Sequence, residues 1–392
     1  MMRLFSNILS ALYRELRDMA RDRLYLVSLV VIPPLALLFY VVAFGSGSIE
    51  RLPIVVVDES NTPSSRRLVA MLAATRGVAV ADYVASASEG EAAVRRGEAY
   101  GFVVIDEAFE YDIYAGRSAD VEVLLSGVAI SASGVLERDI RQAVMTFAAG
   151  IELERLRMLG FGEHQAMVEL SPVNLHTHII SNPYLNYGFY LAPTFMAMSV
   201  VISLVLATIY AVGRELRYAT VADWLASASG SLPAALIGKL LPVTVWFVVV
   251  MHYLYLLLFV VMGMECSGSY LLLSLGSLLF ILAYQCVAIA IIAVVANLRL
   301  AMSLGGGYAV MAFTFSGITF PVMAMWGVAR LLSYLFPLGY FVNIFVSVAM
   351  RGLGAEYVAK DMLALALFVV AVPLVWRRMC RVVSDERYLQ KD

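Results

Sequence analysis

The stretch Gly213–Pro242, GRELRYATVADWLASASGSLPAALIGKLLP, decides how this chain is read. It is a polar break between two long apolar runs, opening on Arg214-Glu215 and closing on Gly238-Lys239. Inside it lies an amphipathic segment, Val221 to Ala228, with Trp224 and Leu225 at its centre. A loop that only reverses direction between membrane helices needs roughly 2–8 residues. This one is longer and charged, which fits a contact surface for a separate motor protein in the cytoplasm. The plainer alternative is a helix lying on the bilayer surface.

Working outward, the composition fixes the class. Of 392 residues, 61% are hydrophobic and only 15% charged. A soluble chain is nearer 45–50% apolar and about 25% charged. The chain reads as an integral membrane protein with several spans. The net charge of −2 gives no basic surface for nucleic acid. Cys266, Cys286 and Cys380 are scattered, with neither CxxC nor metal-ligand spacing, so neither a disulfide framework nor a metal site is expected.

Residues 1–23 read as an amphipathic helix in the cytoplasmic interface, with Leu4, Phe5, Ile8, Leu9, Leu12, Leu16 and Met19 at helical spacing. Residues 24–44 form the first span, kinked at Pro33-Pro34. No cleavage site follows it, so it is not read as a removable signal. Residues 45–187 carry much of the chain's charge and alternate strand and helix patterns. Strands are expected at Ile54–Val57, Val78–Val84, Gly101–Ile105 and Val121–Leu125. Helices are expected at Ser64–Thr75, Glu89–Arg96 and Ile130–Leu159. Together they make an inserted α/β domain of ordinary size.

Within residues 188–376 five further spans are expected: Phe189–Val212, Leu240–Met264, Tyr270–Ala296, Ala301–Met323 and Met362–Trp376. The apolar stretch Leu331–Met350, inside the segment 325–352, is broken by Pro337 and Gly339 and is read as a re-entrant hairpin. The expected fold is thus membrane α-helical: six transmembrane helices, an inserted α/β domain, and a re-entrant hairpin before the last span. With six spans, one side carries fourteen Lys and Arg in its short segments, among them the tail 377–392, and the other side three. The positive-inside rule then places both termini in the cytoplasm and the α/β domain outside.

These spans contain no Asp, Glu, Lys or Arg, whereas proton-driven transporters usually carry such residues as relays. His252 is expected to be a hydrogen-bonded structural residue and Gln285 to be helix-packing glue. His164, His176 and His178 have no clustered carboxylates and read as loop residues; Asp58-Glu59-Ser60 reads as a turn and helix cap. Ser126-Gly127 has no nucleophile-elbow context. No GxxxxGK[ST] is present, since Gly238-Lys239-Leu240 lacks the upstream glycine and the hydroxyl residue. No catalytic constellation and no cofactor site are expected, and any ATP must be used by another polypeptide.

The layout resembles the permease subunits of type-2 ABC exporters, in the subgroup with a large domain after the first span. The resemblance rests on Arg214, Glu215, Thr220, Leu225, Gly238, Lys239 and Pro242 in the loop. Ala219 stands where the family's Gly is usual, and Arg217 where a second Glu is common. It rests also on Phe315-Ser316-Gly317, Phe320-Pro321, Pro337 and Arg351-Gly352 near the end, and on Asp58, Ser60 and Ser64. It implies efflux powered by a cytoplasmic ABC ATPase, with Arg214, Glu215, Arg217, Thr220, Trp224, Leu225, Gly238 and Lys239 in the coupling loop. Phe315, Ser316, Gly317, Phe320, Pro321 and Pro337 would form the re-entrant gate region. It further implies a bacterial inner-membrane location and a dimer with a second permease copy or a homologous permease. Lipid surrounds the spans, and a periplasmic adaptor is a further partner that it admits. A membrane-anchored sensor or enzyme acting through its outer domain is the competing reading, and nothing in the sequence names a substrate.

Overall fold

The computed structural model describes all residues except 1, 46, 48, 171–181, 183–185, 319, 386, 387 and 389–392. The chain divides into two compact units, residues 1–47 with 179–392, and residues 48–178. His176 and His178 lie outside the described residues.

The first unit begins with the amphipathic helix α1 (Met2–Arg21). A short helix α2 (Arg23–Leu26) follows, then a π-helical turn at Val27–Val31, and α3 (Ile32–Phe44). Pro33 and Pro34 fall in the first turn of α3, directly after the π-helical turn. The widening of the helix just before them relieves the clash that a mid-helix proline would cause.

The second unit is built on β1 (Leu52–Asp58), α4 (Pro63–Ala73), β2 (Val78–Tyr83), α5 (Ala87–Arg95) and β3 (Gly101–Ile105). It continues with α6 (Phe109–Tyr114), β4 (Val121–Leu125), α7 (Ile130–Met158) and α8 (Glu163–Leu170). The sheet order is β2-β1-β3-β4, with β4 alone antiparallel. β1 is central and apolar on both faces, as a covered parallel strand must be. Ile54 and Val56 pack with Leu68, Leu136 and Phe147, while Val55 and Val57 pack with Ala93 and Phe102. Thr62 and Ser65 close a reciprocal cap at the start of α4, and Asp58 accepts from Ser65 Oγ at 2.7 Å. The short helices α6 and α8 were not legible in the sequence. Both lack an apolar stripe long enough to show a period.

The first unit resumes with α9 (Tyr187–Arg217), α10 (Val221–Ser227) and α11 (Leu232–Leu256), which passes into a π turn at Leu257–Val261. Then come α12 (Tyr270–Val295), α13 (Leu298–Thr314), α14 (Gly327–Ser333) and α15 (Pro337–Phe345). A π turn at Val346–Met350 leads to α16 (Ala355–Val370) and α17 (Val372–Ser384). Asn186, Ser269 and Asn297 cap α9, α12 and α13 through their side chains. α9 is the most enclosed of the long helices, packed against α3, α11, α12 and α13.

Among the described residues, five helical segments are long and apolar enough to cross a membrane: Val27–Phe44, Tyr187–Arg217, Leu232–Val261, Tyr270–Val295 and Ala355–Ser384. The count is six if α14 and α15, bent by 80° at their break, act as one span. The expected span Ala301–Met323 is the 17-residue α13. At about 1.5 Å per residue it falls short of a ~30 Å hydrocarbon core, because Ser316-Gly317 ends it. The last span also differs. α16 starts at Ala355 and so carries Glu356, Lys360 and Asp361 in its first turns. The basic tail at Arg377, Arg378 and Arg381 is part of α17, whose other face buries Met379, Val382 and Val383.

Candidate functional site

The elbow between α9 and α11 carries the charged break between two apolar runs, and the structure packs α1 against it. α1 presents Ala11 and Glu15 inward, with Phe5, Leu9, Tyr13 and Leu16 exposed on its other side. The approach is close at Gly238 of α11. A Cβ there would lie 2.6 Å from both the Ile8 carbonyl oxygen and the Ala11 Cβ. Only glycine lets the two backbones meet, and that contact brings the neighbouring Lys239 against α1.

Lys239 is 1 % exposed, as is Glu15, and Glu215 is wholly buried. The Lys239 ammonium donates to Glu15 Oε2, and to Glu215 Oε1 at 2.8 Å. It also lies 5.4 Å from the centre of the Trp224 ring, close enough for a cation–π contact. Arg14 grips the same Glu215 carboxylate through two bonds, at 2.9 and 3.0 Å. Burial alone would lower the Arg14 pKa, but the Glu215 carboxylate outweighs it, and the pKa is raised. Thr220, at the start of α10, donates to Glu215 Oε2 at 2.5 Å.

A second set of pairs lies beside the first. Arg214 approaches Asp18 at 3.4 Å and Asp22 at 3.9 Å, and sits 5.7 Å from the Tyr25 ring centre. Tyr210 donates to Asp22 at 2.6 Å. Glu15, Asp18, Asp22 and Glu215 thus face Arg14, Arg214 and Lys239. The carboxylates of Glu15, Asp18 and Glu215 converge closely enough to hold a cation. The cations that hold them here are the Lys239 ammonium and the Arg14 guanidinium. Such a cluster carries no nucleophile and no proton relay to a reacting group. It can lock three helices, α1, α9 and α11, into one rigid body. Breaking a buried pair by removing one partner costs roughly 3–5 kcal/mol.

Of the loop residues singled out in the sequence, Arg214, Glu215, Thr220, Trp224 and Lys239 come together in or beside this cluster, and Gly238 makes the close contact. Arg217 lies outside it, with its guanidinium 5.6 Å from the ring centre of Tyr218. Leu225 is half-buried. Trp224 corrects the expectation. An apolar anchor offered to a partner should be exposed, yet the indole is 1 % exposed and donates from Nε1 to the Ala235 carbonyl at 3.2 Å. Glu215 is likewise held by internal pairs. The accessible face of α10 is Ala222, Asp223 and Ala226, preceded by Tyr218.

The sequence reading missed Arg14, Glu15, Asp18, Asp22, Tyr25 and Tyr210. One signal was present. Glu15 sits within the stripe Ile8, Leu12, Met19 at helical spacing, where a charge has no reason to be unless it has a buried partner.

The gate residues assemble at the other end of the first unit. Ser316 is 2 % exposed and donates to the Phe313 carbonyl at 2.7 Å. Phe315 stacks on Phe336 with ring centres 5.2 Å apart. Gly317 adopts φ +85°, a backbone that β-carbon-bearing residues rarely adopt. Pro337 opens α15, whose Leu338 N–H donates to the Tyr284 hydroxyl at 3.2 Å. Tyr308 donates to the Leu335 carbonyl at 2.6 Å. Two tyrosines thus fix the bend between α14 and α15. Phe320 is exposed, and Pro321 leads into the 3-10 turn Val322–Ala324. His252 is bonded at both ring nitrogens, to the Val248 carbonyl at 2.8 Å and Ser274 Oγ at 3.1 Å. A carbonyl only accepts, so Nδ1 carries the proton, while the Ser274 hydroxyl at Nε2 also lies 2.9 Å from the Tyr270 carbonyl.

Comparison with known proteins adds one finding. The family model described as ABC-2 family transporter protein matches residues 23–376, which takes in the elbow, the bent helix pair and the whole strand-bearing unit. No curated protein matches the chain.

Proposed function

This chain belongs to the ABC-2 family of transporter proteins, and from that premise we propose that it is the permease of an exporter driven by a separate cytoplasmic ATPase. Membership makes it the membrane subunit of an ABC transporter, a multi-pass protein that is not itself the ATPase. The finer reading is that the elbow receives the motor's stroke on the cytoplasmic side of a bacterial inner membrane. In it the permease works as a dimer, as a homodimer or with a homologous permease. Residues 48–178 lie outside the membrane, and the α14–α15 pair dips in and returns.

The observation that carries this reading is the mounting of α10. Its inner face, Val221 and Trp224, is buried beside the charge cluster, while Ala222, Asp223 and Ala226 are exposed. A partner pressing on that outer face would move α1, α9 and α11 together. A ligand-driven change must favour one packing of the helices over another, and a rigid handle on three helices lets a small displacement do so.

The test is Asp223→Lys in the full chain, which reverses charge on the exposed face without touching the core. The expected result is an ATPase that co-purifies with wild type in mild detergent and is lost or reduced at least tenfold with the variant, at equal membrane abundance and unchanged melting temperature. Equal recovery of the ATPase with both proteins would overturn the role of this face. Absence of any ATPase with wild type would overturn the partner itself.

A further inference from the structure

Near the N-terminal end of α9 a groove of about 410 Å³ opens between Tyr190, the turn Ser316–Ile318, and the α15 side from Val342 to Arg351. It continues inward as a narrow apolar crevice, lined by Pro193, Thr194, Phe341 and Phe345 and sharing Tyr190 and Val346 with the groove. Three departures from regular helix meet here. Pro193 lies inside α9 and frees the Phe189 carbonyl. α15 widens into the π turn Val346–Met350. Gly317 takes its left-handed backbone. π turns inside helices frequently mark functional sites, and a pocket of a few hundred Å³ is the size that a small ligand fills.

The lining has a one-sided chemistry. Arg351 is its single charged residue, lies exposed at the mouth, and has no hydrogen-bond or ion-pair partner among the described side chains. Asn343 and Ser347 stand near it, and inward of them the walls are Val342, Val346, Met350 and Ile318. A free anion would meet Arg351 but leave the apolar walls unused. A neutral apolar molecule would fill the walls but bring nothing to the guanidinium. The crevice holds only about 10 Å³ as it stands. It is closed by the Tyr190 hydroxyl donating to the Ile318 carbonyl at 2.5 Å.

We propose that this groove binds an anionic amphiphile, with its charged group on Arg351 and its apolar part parting Tyr190 from Ile318 to enter the crevice. The proposal rests on the transport reading in one respect, that such a molecule would be the cargo. In the proposed topology Arg351 falls at the outer end of the spans, where a substrate would leave or enter, and α9 connects that point to the elbow. From Thr194 to Glu215 the helix rises about 30 Å at 1.5 Å per residue.

The experiment uses the full chain in nanodiscs of neutral lipid, with dansylundecanoic acid and its methyl ester as fluorescent probes. Wild type is expected to bind the acid at least tenfold more tightly than the ester, the loss usual for one charge-assisted bond. Arg351→Gln should erase that preference, and Arg351→Lys should keep most of it. Val346→Trp, which fills the crevice, should weaken both probes. Millimolar inorganic phosphate should not displace the acid, which separates an amphiphile from a free anion. Equal binding of acid and ester by wild type, or an unchanged preference in Arg351→Gln, would overturn the proposal, as would displacement by phosphate. Co-purification of the ATPase with the same proteins is read separately. Probe preference without any ATPase sinks the transporter reading and leaves the site standing, whereas ATPase without probe preference does the reverse.

Discussion

The two ends of α9 are built on opposite plans. At its C-terminal end, Arg214 and Glu215 join a cluster in which buried charges meet opposite charges within a few ångströms. At its N-terminal end, Pro193 lies inside the helix, and Arg351 of the adjoining groove has no side-chain partner among the described residues. The first end is enclosed and charge-paired; the second is open and irregular. Charge that is paired internally holds helices together, and charge left unpaired beside apolar walls is free to meet something else. Burial separates the two cases: Glu215 is fully enclosed, whereas Arg351 is exposed. The same residue types therefore serve structure at one end and recognition at the other.

The comparison breaks most easily at Lys239. If the cluster is a lock, Lys239→Met strands Glu15 as a buried, uncompensated carboxylate and leaves Glu215 to Arg14 and Thr220. The expected loss is about 3–5 kcal/mol, read as a large fall in melting temperature of the full chain in detergent. Combining Lys239→Met with Glu15→Gln, which leaves the Arg14–Glu215 pair in place, should restore most of it, because a buried ion pair replaced by neutral groups is often close to neutral in stability. A single variant that melts like wild type would mean that the cluster holds nothing.

Trp224→Ala is the next largest. The indole is enclosed, caps the Lys239 ammonium and bonds to Ala235. Its truncation removes a large buried ring, at a cost of about 3 kcal/mol. The expected signature is lower melting temperature together with reduced ATPase recovery. Asp223→Lys should reduce recovery alone. A Trp224→Ala protein with normal melting and lost ATPase would return the indole to the docking surface and undo the division between inner and outer faces of α10.

Much of this arrangement was legible in the sequence, and the part that was not has a physical reason. The charged stretch between two apolar runs, the bounds of the strands at Gly101–Ile105 and Val121–Leu125, and Pro337 as a break all follow from local pattern. Partners far apart in the chain do not. Arg14 and Glu215 are 201 residues apart, and nothing local tells either residue that the other exists. An amphipathic α1 reads as a helix for the bilayer surface, because its period reports one apolar face without saying what covers it. Trp224 reads as an anchor because an indole among polar residues looks exposed until the neighbouring helix is in place. The length of α13 was misjudged because apolar residues continue past Thr314 while the helix stops.

The smallest expected effect sharpens the comparison by showing what an ordinary buried polar contact between these helices is worth. Gln285 of α12 is 3 % exposed; its Oε1 accepts from Thr244 of α11 at 2.9 Å, and its Nε2 has no partner among the described residues. The Thr244 hydroxyl also lies 3.0 Å from the Leu240 carbonyl, so it has a second acceptor if the first is removed. Gln285→Leu then deletes one shared hydrogen bond and, with it, an amide donor that pays a desolvation cost for no return. A net hydrogen bond contributes about 1 kcal/mol, and an unsatisfied buried group costs about as much or more. The two nearly cancel, and the melting temperature should move little, with a slight rise more in keeping with the orphaned Nε2 than a fall. A loss as large as that of Lys239→Met would show that polar contacts midway along the spans lock these helices as firmly as the charge cluster does. The contrast between a rigid elbow and a yielding interior would then fail.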